Sequence, residues 1–153
     1  MRNVFILAFS GFLLVMALIL AWLLGITLFF PNGELASYIT DRRRLIQSHI
    51  DFLMMAQFLL IFALLFRQYS INPPRWLIAA ACFGALFNPF GLLRAALKPK
   101  PPADLPPIPY VPHFPIFSAV SFTLITVGFL GSVFLIVWAA WKSHSKDVQG
   151  APE

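Results

Sequence analysis

One stretch of the sequence places an imidazole, a carboxylate and three guanidinium groups within ten residues, RRRLIQSHID, after which the chain turns apolar. An imidazole binds metals and transfers protons, and a guanidinium binds carboxylate groups. Ionisable groups at the border of an apolar segment are costly to bury, so they are candidates for a functional site. The residues of this polar segment are Arg42, Arg43, Arg44, His49 and Asp51.

Two interpretations of His49 are open. It is either an uncharged interfacial residue bonded to a backbone carbonyl, or a metal ligand, since histidine is a natural axial ligand of haem iron. Helix geometry separates His49 from Asp51 by about 200°, so the two cannot enter one pocket on one side of the helix. Either one of them faces solvent, or the helix lies between two pockets. A site between copies of the protein would meet the second case and predicts a homo-oligomer.

The elements that must position these groups are membrane helices. The chain has 153 residues, of which 59% are hydrophobic and 11% charged, whereas a soluble domain is about one quarter charged. Four apolar stretches, at about 4–30, 49–66, 76–97 and 115–141, approach or exceed the roughly 20 residues needed to cross a bilayer as a helix. We therefore predict an all-α polytopic membrane protein, a single domain over 1–153 with four transmembrane helices in a bundle.

Composition excludes several classes of function. The first span is longer than the usual 7–15-residue signal core, so we expect it to be retained. The net charge of +5 is interpreted as membrane topology signal, because the sequence lacks the basic, aromatic-rich groove of single-strand nucleic-acid binding. Cys82 is the only cysteine, which excludes an intramolecular disulfide and a C-x-x-C-H haem attachment. Any haem would be held without thioether bonds.

The polar candidates gather toward one side of the predicted bundle, where the loops 31–48 and 98–114 lie. Lysine and arginine number five on the side of the termini and six on this one, a count that favours neither orientation. The stretch KPKPPADLPPIPYVPHFP, which is the second loop with the adjoining Pro115, holds eight of the thirteen prolines and is either a stiff spacer or a rigid lid. The polar candidates on this side are His49, Asp51, Asn88, Arg94, Tyr110 and His113.

Small residues recur at one-face spacing along three spans, a pattern that lets membrane helices approach closely. Pro89 predicts a kink in the third span, where Asn88 could satisfy the freed backbone. The small residues are Ser10, Ala17, Ala21 and Gly25 in the first span, Ala81, Gly84, Ala85, Gly91 and Ala95 in the third, and Ser121, Gly128 and Ser132 in the fourth.

The second span, opening Ser-His, resembles the second helix of the styrene oxide isomerase and hydroxylaminobenzene mutase group. These are small four-helix membrane proteins whose corresponding helix begins Ala-His. The mutases carry an acidic residue two positions after that histidine, where Asp51 stands. The family's third helix has a Trp- or Tyr-Ala-Asn pattern, and LFNPFGLL offers Asn88 in that place. The stretch PYVPHFPIFSAVSF resembles the start of the family's fourth helix, so the similarity covers most of the chain.

The resemblance implies a homotrimer that binds haem b between neighbouring subunits, with the ferric iron acting as a Lewis acid on an epoxide oxygen. Ring opening and a 1,2-shift then give an aldehyde without net redox change. We therefore expect a haem-b-binding isomerase of a small apolar epoxide, in the inner membrane of a bacterium. The expected site residues are His49 on the iron, Arg42, Arg43, Arg44 and Arg94 near the propionates, and Asp51 and Asn88 in the distal or substrate pocket.

Three positions depart from the family pattern. Met55 stands where the family has an asparagine, and Gly84 and Leu92 replace an aspartate and a tyrosine of the isomerases. A methionine cannot donate a strong hydrogen bond as an amide can, so the sequence supports haem binding better than isomerase chemistry. The alternative is a non-enzymatic membrane subunit or haem carrier acting in complex assembly. A transporter is less favoured, because the mid-membrane positions are poor in polar residues and no internal repeat is evident.

Overall fold

Five helices make up the part of the chain that the computed structural model describes, residues 2–98 and 116–149. Four of them are long and apolar enough to cross a membrane, and the shortest of these, with 22 residues, is about 33 Å long. No strand occurs in these residues. The predicted all-α class is confirmed, and so is the prediction of four helices long and apolar enough to span a membrane. The helices are α1 (Arg2–Phe29), α2 (Glu34–Ser37), α3 (Arg42–Gln68), α4 (Arg75–Ala96) and α5 (Ile116–Gln149).

Helix α3 begins earlier than its apolar stretch because Asp41 caps it. The Asp41 carboxylate accepts a hydrogen bond from the backbone amide of Arg44 at 3.1 Å and pairs with the Arg44 Nε atom at 3.2 Å. An aspartate at this position satisfies an amide that the first turn of a helix leaves without a partner. His49 therefore lies about two turns inside α3, and not at its first turn as the apolar pattern alone predicts.

Hydrogen bonds between segments fix which helix ends lie together. At one end, Arg2 Nη1 donates to the carbonyl of Pro73 at 2.7 Å. At the other, the backbone amides of Thr40 and Asp41 donate to the carbonyl oxygen of Ala96 at 3.0 and 3.2 Å, and so does Thr40 Oγ1 at 2.9 Å. The start of α1 and the α3–α4 loop thus share one end of the molecule, while the start of α3 and the end of α4 share the other, as predicted.

The four long helices pack in the order of the chain. Contacts are extensive between α1 and α3, between α3 and α4, and between α4 and α5, while α1–α4 and α3–α5 touch at few points. One apolar core runs through all four helices. The outer faces carry large apolar side chains such as Trp22 and Leu130, which are 74% and 66% exposed. Such a surface is expected where helices face lipid.

Glycines set the separation of α4 and α5. A Cβ atom at Gly84 would lie 2.5 Å from the backbone nitrogen of Ile125, and one at Gly128 would lie 2.5 Å from that of Ala81. The two backbones therefore meet over a surface that admits no side chain at either glycine. The prediction that these stripes of small residues are helix contacts is confirmed for this part of α4 and α5.

The α1 stripe is a contact surface over part of its length. Ser10 and Ala17 are buried, and Ser10 Oγ donates to the carbonyl of Ala56 on α3 at 2.8 Å. A Cβ atom at Gly25 would meet nothing within 4 Å, so the stripe ends in open space toward the α1 C-terminus. Tyr110, His113 and the proline-rich loop lie outside the described residues.

Candidate functional site

His49 lies where α3 contacts α1, and one of its ring nitrogens has a partner. Nδ1 is 2.9 Å from the carbonyl oxygen of Ala17, and the ring is half-buried. A carbonyl oxygen only accepts, so Nδ1 carries the hydrogen and donates it. In the uncharged ring this leaves Nε2 with its lone pair.

This bond bears on both interpretations of His49. It is the backbone bond that the interfacial interpretation predicts. It is also the usual support of a metal-binding histidine, whose second nitrogen donates to a backbone carbonyl or a carboxylate and thereby fixes the ring. The geometry therefore leaves both open and selects Nε2 as the nitrogen that could bind iron.

Asp51 lies on the other side of α3, against α4. Asn88 Nδ2 donates to its Oδ2 atom at 2.5 Å, and both side chains are half-buried. The predicted divergence of His49 and Asp51 is confirmed, since His49 bonds α1 on one side of α3 and Asp51 bonds α4 on the other. Both partners, α1 and α4, belong to the same chain, so this divergence no longer argues for an oligomer. Asn88 bonds the Asp51 side chain here, and not the backbone near Pro89 as one of its two interpretations predicted.

The Asp51–Asn88 pair opens into a cleft of 400 Å³ between α3 and α4. This volume is within the usual range for small-molecule sites, about 300–1,000 Å³, but the cleft is shallow and open along the outer face of the bundle. Asp51 supplies its carboxylate, and Asn88 and Gln47 supply its two amides. Its lining residues are Gln47, Ile50, Asp51, Met54, Asn88 and Leu92.

A larger cavity of 750 Å³ lies on the far side of Asn88, between α4, the start of α5 and the first turn of α3. Arg44 and Arg94 both line it, so α3 and α4 bring two of the predicted arginines together. His49 is not among the residues that line either this cavity or the cleft.

The three successive arginines of α3 point in different directions. Arg42 precedes His49 by seven residues, which places it within about 20° of the same helix face and about 10 Å along the axis. Arg44 lines the larger cavity with Arg94. Arg43 is exposed and lies about 120° from the His49 face. Among the predicted arginines of α3, Arg42 therefore shares most closely the face of the histidine.

The three departures from the family pattern have different structural settings. Met55 is 8% exposed and belongs to the core. Leu92 lines both the cleft and the cavity. At Gly84 the backbone of Ile125 occupies the space of a side chain, so the family's aspartate cannot be accommodated with α4 and α5 this close.

Metal-binding side chains do not gather in groups of three in the described part of the chain. Within residues 2–98 and 116–149, no three side chains of histidine, cysteine, aspartate or glutamate form a group that could hold a metal ion. Haem needs only one axial ligand from the protein because the porphyrin supplies the others. A single histidine with a supported ring therefore fits haem better than a metal ion bound by protein ligands alone.

Two polar contacts of the site region were not predicted from sequence. Ser48 Oγ, which is buried beside His49 in the chain, donates to the carbonyl of Pro89 at 2.8 Å. Lys98 joins Arg44 and Arg94 around the larger cavity. The burial of Ser48 carries a sequence signal, because Ser48 lies three residues after Leu45 and seven before Met55 and therefore shares their buried face of α3. Its partner on α4 has no such signal.

Comparison of the chain with family models, curated proteins and solved structures finds no match. The resemblance to the isomerase and mutase group therefore stays a prediction.

Proposed function

We propose that this protein is a haem-b-binding integral membrane isomerase that rearranges a small apolar epoxide to a carbonyl compound. The observation that carries the proposal is the bond from His49 Nδ1 to the Ala17 carbonyl, 2.9 Å long. It orients the ring and leaves Nε2 as the candidate axial ligand. The axial role itself comes from the resemblance to the isomerase and mutase group.

The surroundings of His49 suit an apolar cofactor with anionic edges. A groove of 400 Å³ on α1 begins at Leu18, next to Ala17, and is lined by apolar residues of α1 that include Ala21, Trp22 and Gly25, while His49 itself does not line it. Arg42, on the His49 face toward the helix start, is positioned to bind a propionate. Bound haem would supply a Lewis acid for the epoxide oxygen.

The chain's own polar groups would then act on the substrate. In the proposed role, the Asn88 amide donates to an oxygen of the substrate, and the Asp51 carboxylate keeps that amide oriented. Ile50, Met54 and Leu92 supply the apolar contacts for the substrate in the adjoining cleft. Neighbouring copies of the chain would have to bring the His49 face of one subunit near the Asn88 face of another, because α3 separates them within one chain.

A non-enzymatic assembly subunit is the second candidate, and a specific observation favours it. The polar side chains of the site have partners within the chain: His49 bonds the backbone carbonyl of Ala17, and Asp51 bonds the amide of Asn88. Hydrogen bonds of this kind stabilise contacts between membrane helices without any ligand. Under this alternative the purified protein is colourless.

The visible spectrum of the purified protein tests haem binding. Protein from haem-replete cells is expected to show a Soret band that is lost in His49→Ala and kept in His144→Ala, a matched change near the other end of the molecule. External imidazole is expected to restore the band in His49→Gly, which separates loss of the ligand from loss of the fold. A colourless wild-type protein, or equal bands in all variants, would refute His49 ligation.

Turnover of styrene oxide to the aldehyde tests the reaction. Asn88→Leu is expected to lower kcat with little loss of haem, and Asn72→Leu, an exposed change in the α3–α4 loop, is expected to leave kcat unchanged. A haem-loaded protein without epoxide turnover would reject the isomerase and leave a haem carrier.

A further inference from the structure

The 750 Å³ cavity between α4, α5 and the first turn of α3 combines basic and apolar lining residues. Three basic side chains line it, from two different helices and the residues that follow α4. Its remaining wall is mostly aromatic and aliphatic, with a few small polar groups. The basic residues are Arg44, Arg94 and Lys98, and the others are Phe87, Asn88, Phe90, Gly91, Leu92, Ala95, Phe117, Ser118 and Ser121.

Among the described residues, the positive charge of the cavity exceeds the negative charge close to it. Asp41 compensates Arg44, to which it is bonded, so Arg94 and Lys98 supply most of the excess. All three basic side chains are exposed, and they stand at the helix ends that reach the membrane–water interface. Basic pockets between helices at this depth attract anionic lipid head groups, by about 1 kcal/mol for each cation.

Below the basic residues the wall turns apolar. Phe87 and Phe117 contact each other edge to face, with ring centroids 5.4 Å apart, and so join α4 to the start of α5. Ser121, which is 1% exposed, lies one helical turn further into the membrane than Phe117. The cavity therefore runs from a cationic mouth at the interface to an apolar interior.

We propose that this cavity binds an amphiphile with one anionic head group, a carboxylate or a phosphate, and an apolar tail. Arg94 and Lys98 bind the head group, and the tail lies along Phe87 and Phe117. A volume of 750 Å³ falls within the usual range for small-molecule sites, about 300–1,000 Å³. The inference does not depend on haem, because His49 faces α1 on the other side of α3.

The test uses the full chain in phosphatidylcholine nanodiscs, with binding measured for two anionic probes, oleate and dioleoyl phosphatidic acid. Methyl oleate has the tail without the charge, and inorganic phosphate has the charge without a tail. Arg94→Gln and Lys98→Gln remove one cation each, and Arg67→Gln is a matched change at the opposite end of the molecule. Thermal unfolding of each variant checks that it is folded.

At least one anionic amphiphile is expected to bind, about fivefold more weakly after each single substitution at the cavity and about 25-fold more weakly after both. Which of the two probes binds more tightly distinguishes a free fatty acid from a phospholipid. Arg67→Gln is expected to bind like wild type, and methyl oleate and phosphate are expected to bind poorly.

Three results would overturn the proposal. The first is methyl oleate binding as tightly as oleate, the second is Arg67→Gln losing as much affinity as Arg94→Gln, and the third is no binding of either anionic probe. Loss of the Soret band in Arg94→Gln, with His144→Ala unchanged, would also overturn it by assigning the cavity to haem.

Discussion

Replacing Gly84 by alanine tests the close contact of α4 and α5. The new Cβ atom would lie 2.5 Å from the Ile125 nitrogen, and ordinary contact begins at 3.4 Å, so the helices must separate by roughly 0.9 Å. A gap of this size forfeits about a quarter to a half of the dispersion attraction of each atom pair. The obstacle is backbone, which cannot rotate away as a side chain can. Gly84→Ala is therefore expected to destabilise the protein.

The magnitude follows from two opposing terms. Overpacking usually lowers stability by about 1–3 kcal/mol. Because the obstacle at Gly84 is rigid backbone, we expect the loss there to be about 3 kcal/mol. Alanine regains about 1 kcal/mol of helix propensity over glycine, which leaves a net loss of about 2. Gly91→Ala on the same helix meets nothing within 4 Å, so only the propensity term acts and the variant gains about 1 kcal/mol.

Unfolding in mixed micelles by increasing dodecyl sulfate, followed by circular dichroism, measures the difference between the two variants. A separation of about 3 kcal/mol between Gly84→Ala and Gly91→Ala is expected from the terms above. Equal stability of the two variants would refute the steric argument, and so would a Gly84→Ala protein more stable than wild type.

Three further predictions concern single hydrogen bonds. In a double-mutant cycle, the variant with both Asp51→Leu and Asn88→Leu is expected to lose about 1–2 kcal/mol less stability than the sum of the two single losses, because each single change leaves the other polar group without its partner. Additive losses would contradict this. Ser48→Ala is expected to lose about 1 kcal/mol with its bond to α4, while Thr123→Ala, which bonds only within its own helix, loses less; equal unfolding midpoints would contradict this. Asp41→Ala is expected to lose about 1 kcal/mol by uncapping α3, whereas Asp41→Asn retains most of that in the same unfolding assay, and equal losses would contradict the capping role.

The membrane helices could be predicted from sequence because length and hydropathy are local properties. The prediction placed the start of the second span at His49, since it followed the apolar residues alone, whereas Asp41 extends α3 by about two turns. An aspartate that can cap a helix is itself a sequence signal for a helix start. Asp41 and the three arginines after it are polar, so a prediction based on apolar residues alone does not include them.

The divergence of His49 and Asp51 was also predictable, because it follows from 100° per residue within one helix. Their partners were not, because the helix that packs on each face is decided by contacts far apart in the chain. The basic cavity could not be predicted for the same reason. Arg44, Lys98 and Phe117 are distant in sequence, and only the packing of three helices brings them to one wall.

The carbonyl of Ala96 accepts from two successive amides of the segment before α3 as well as from the Thr40 hydroxyl. The last turn of α4 therefore cannot fray without exposing the amides of Thr40 and Asp41 at the same moment. Hydrogen exchange at these two amides will occur in one opening event shared with the α4 terminus, although more than fifty residues of chain separate them.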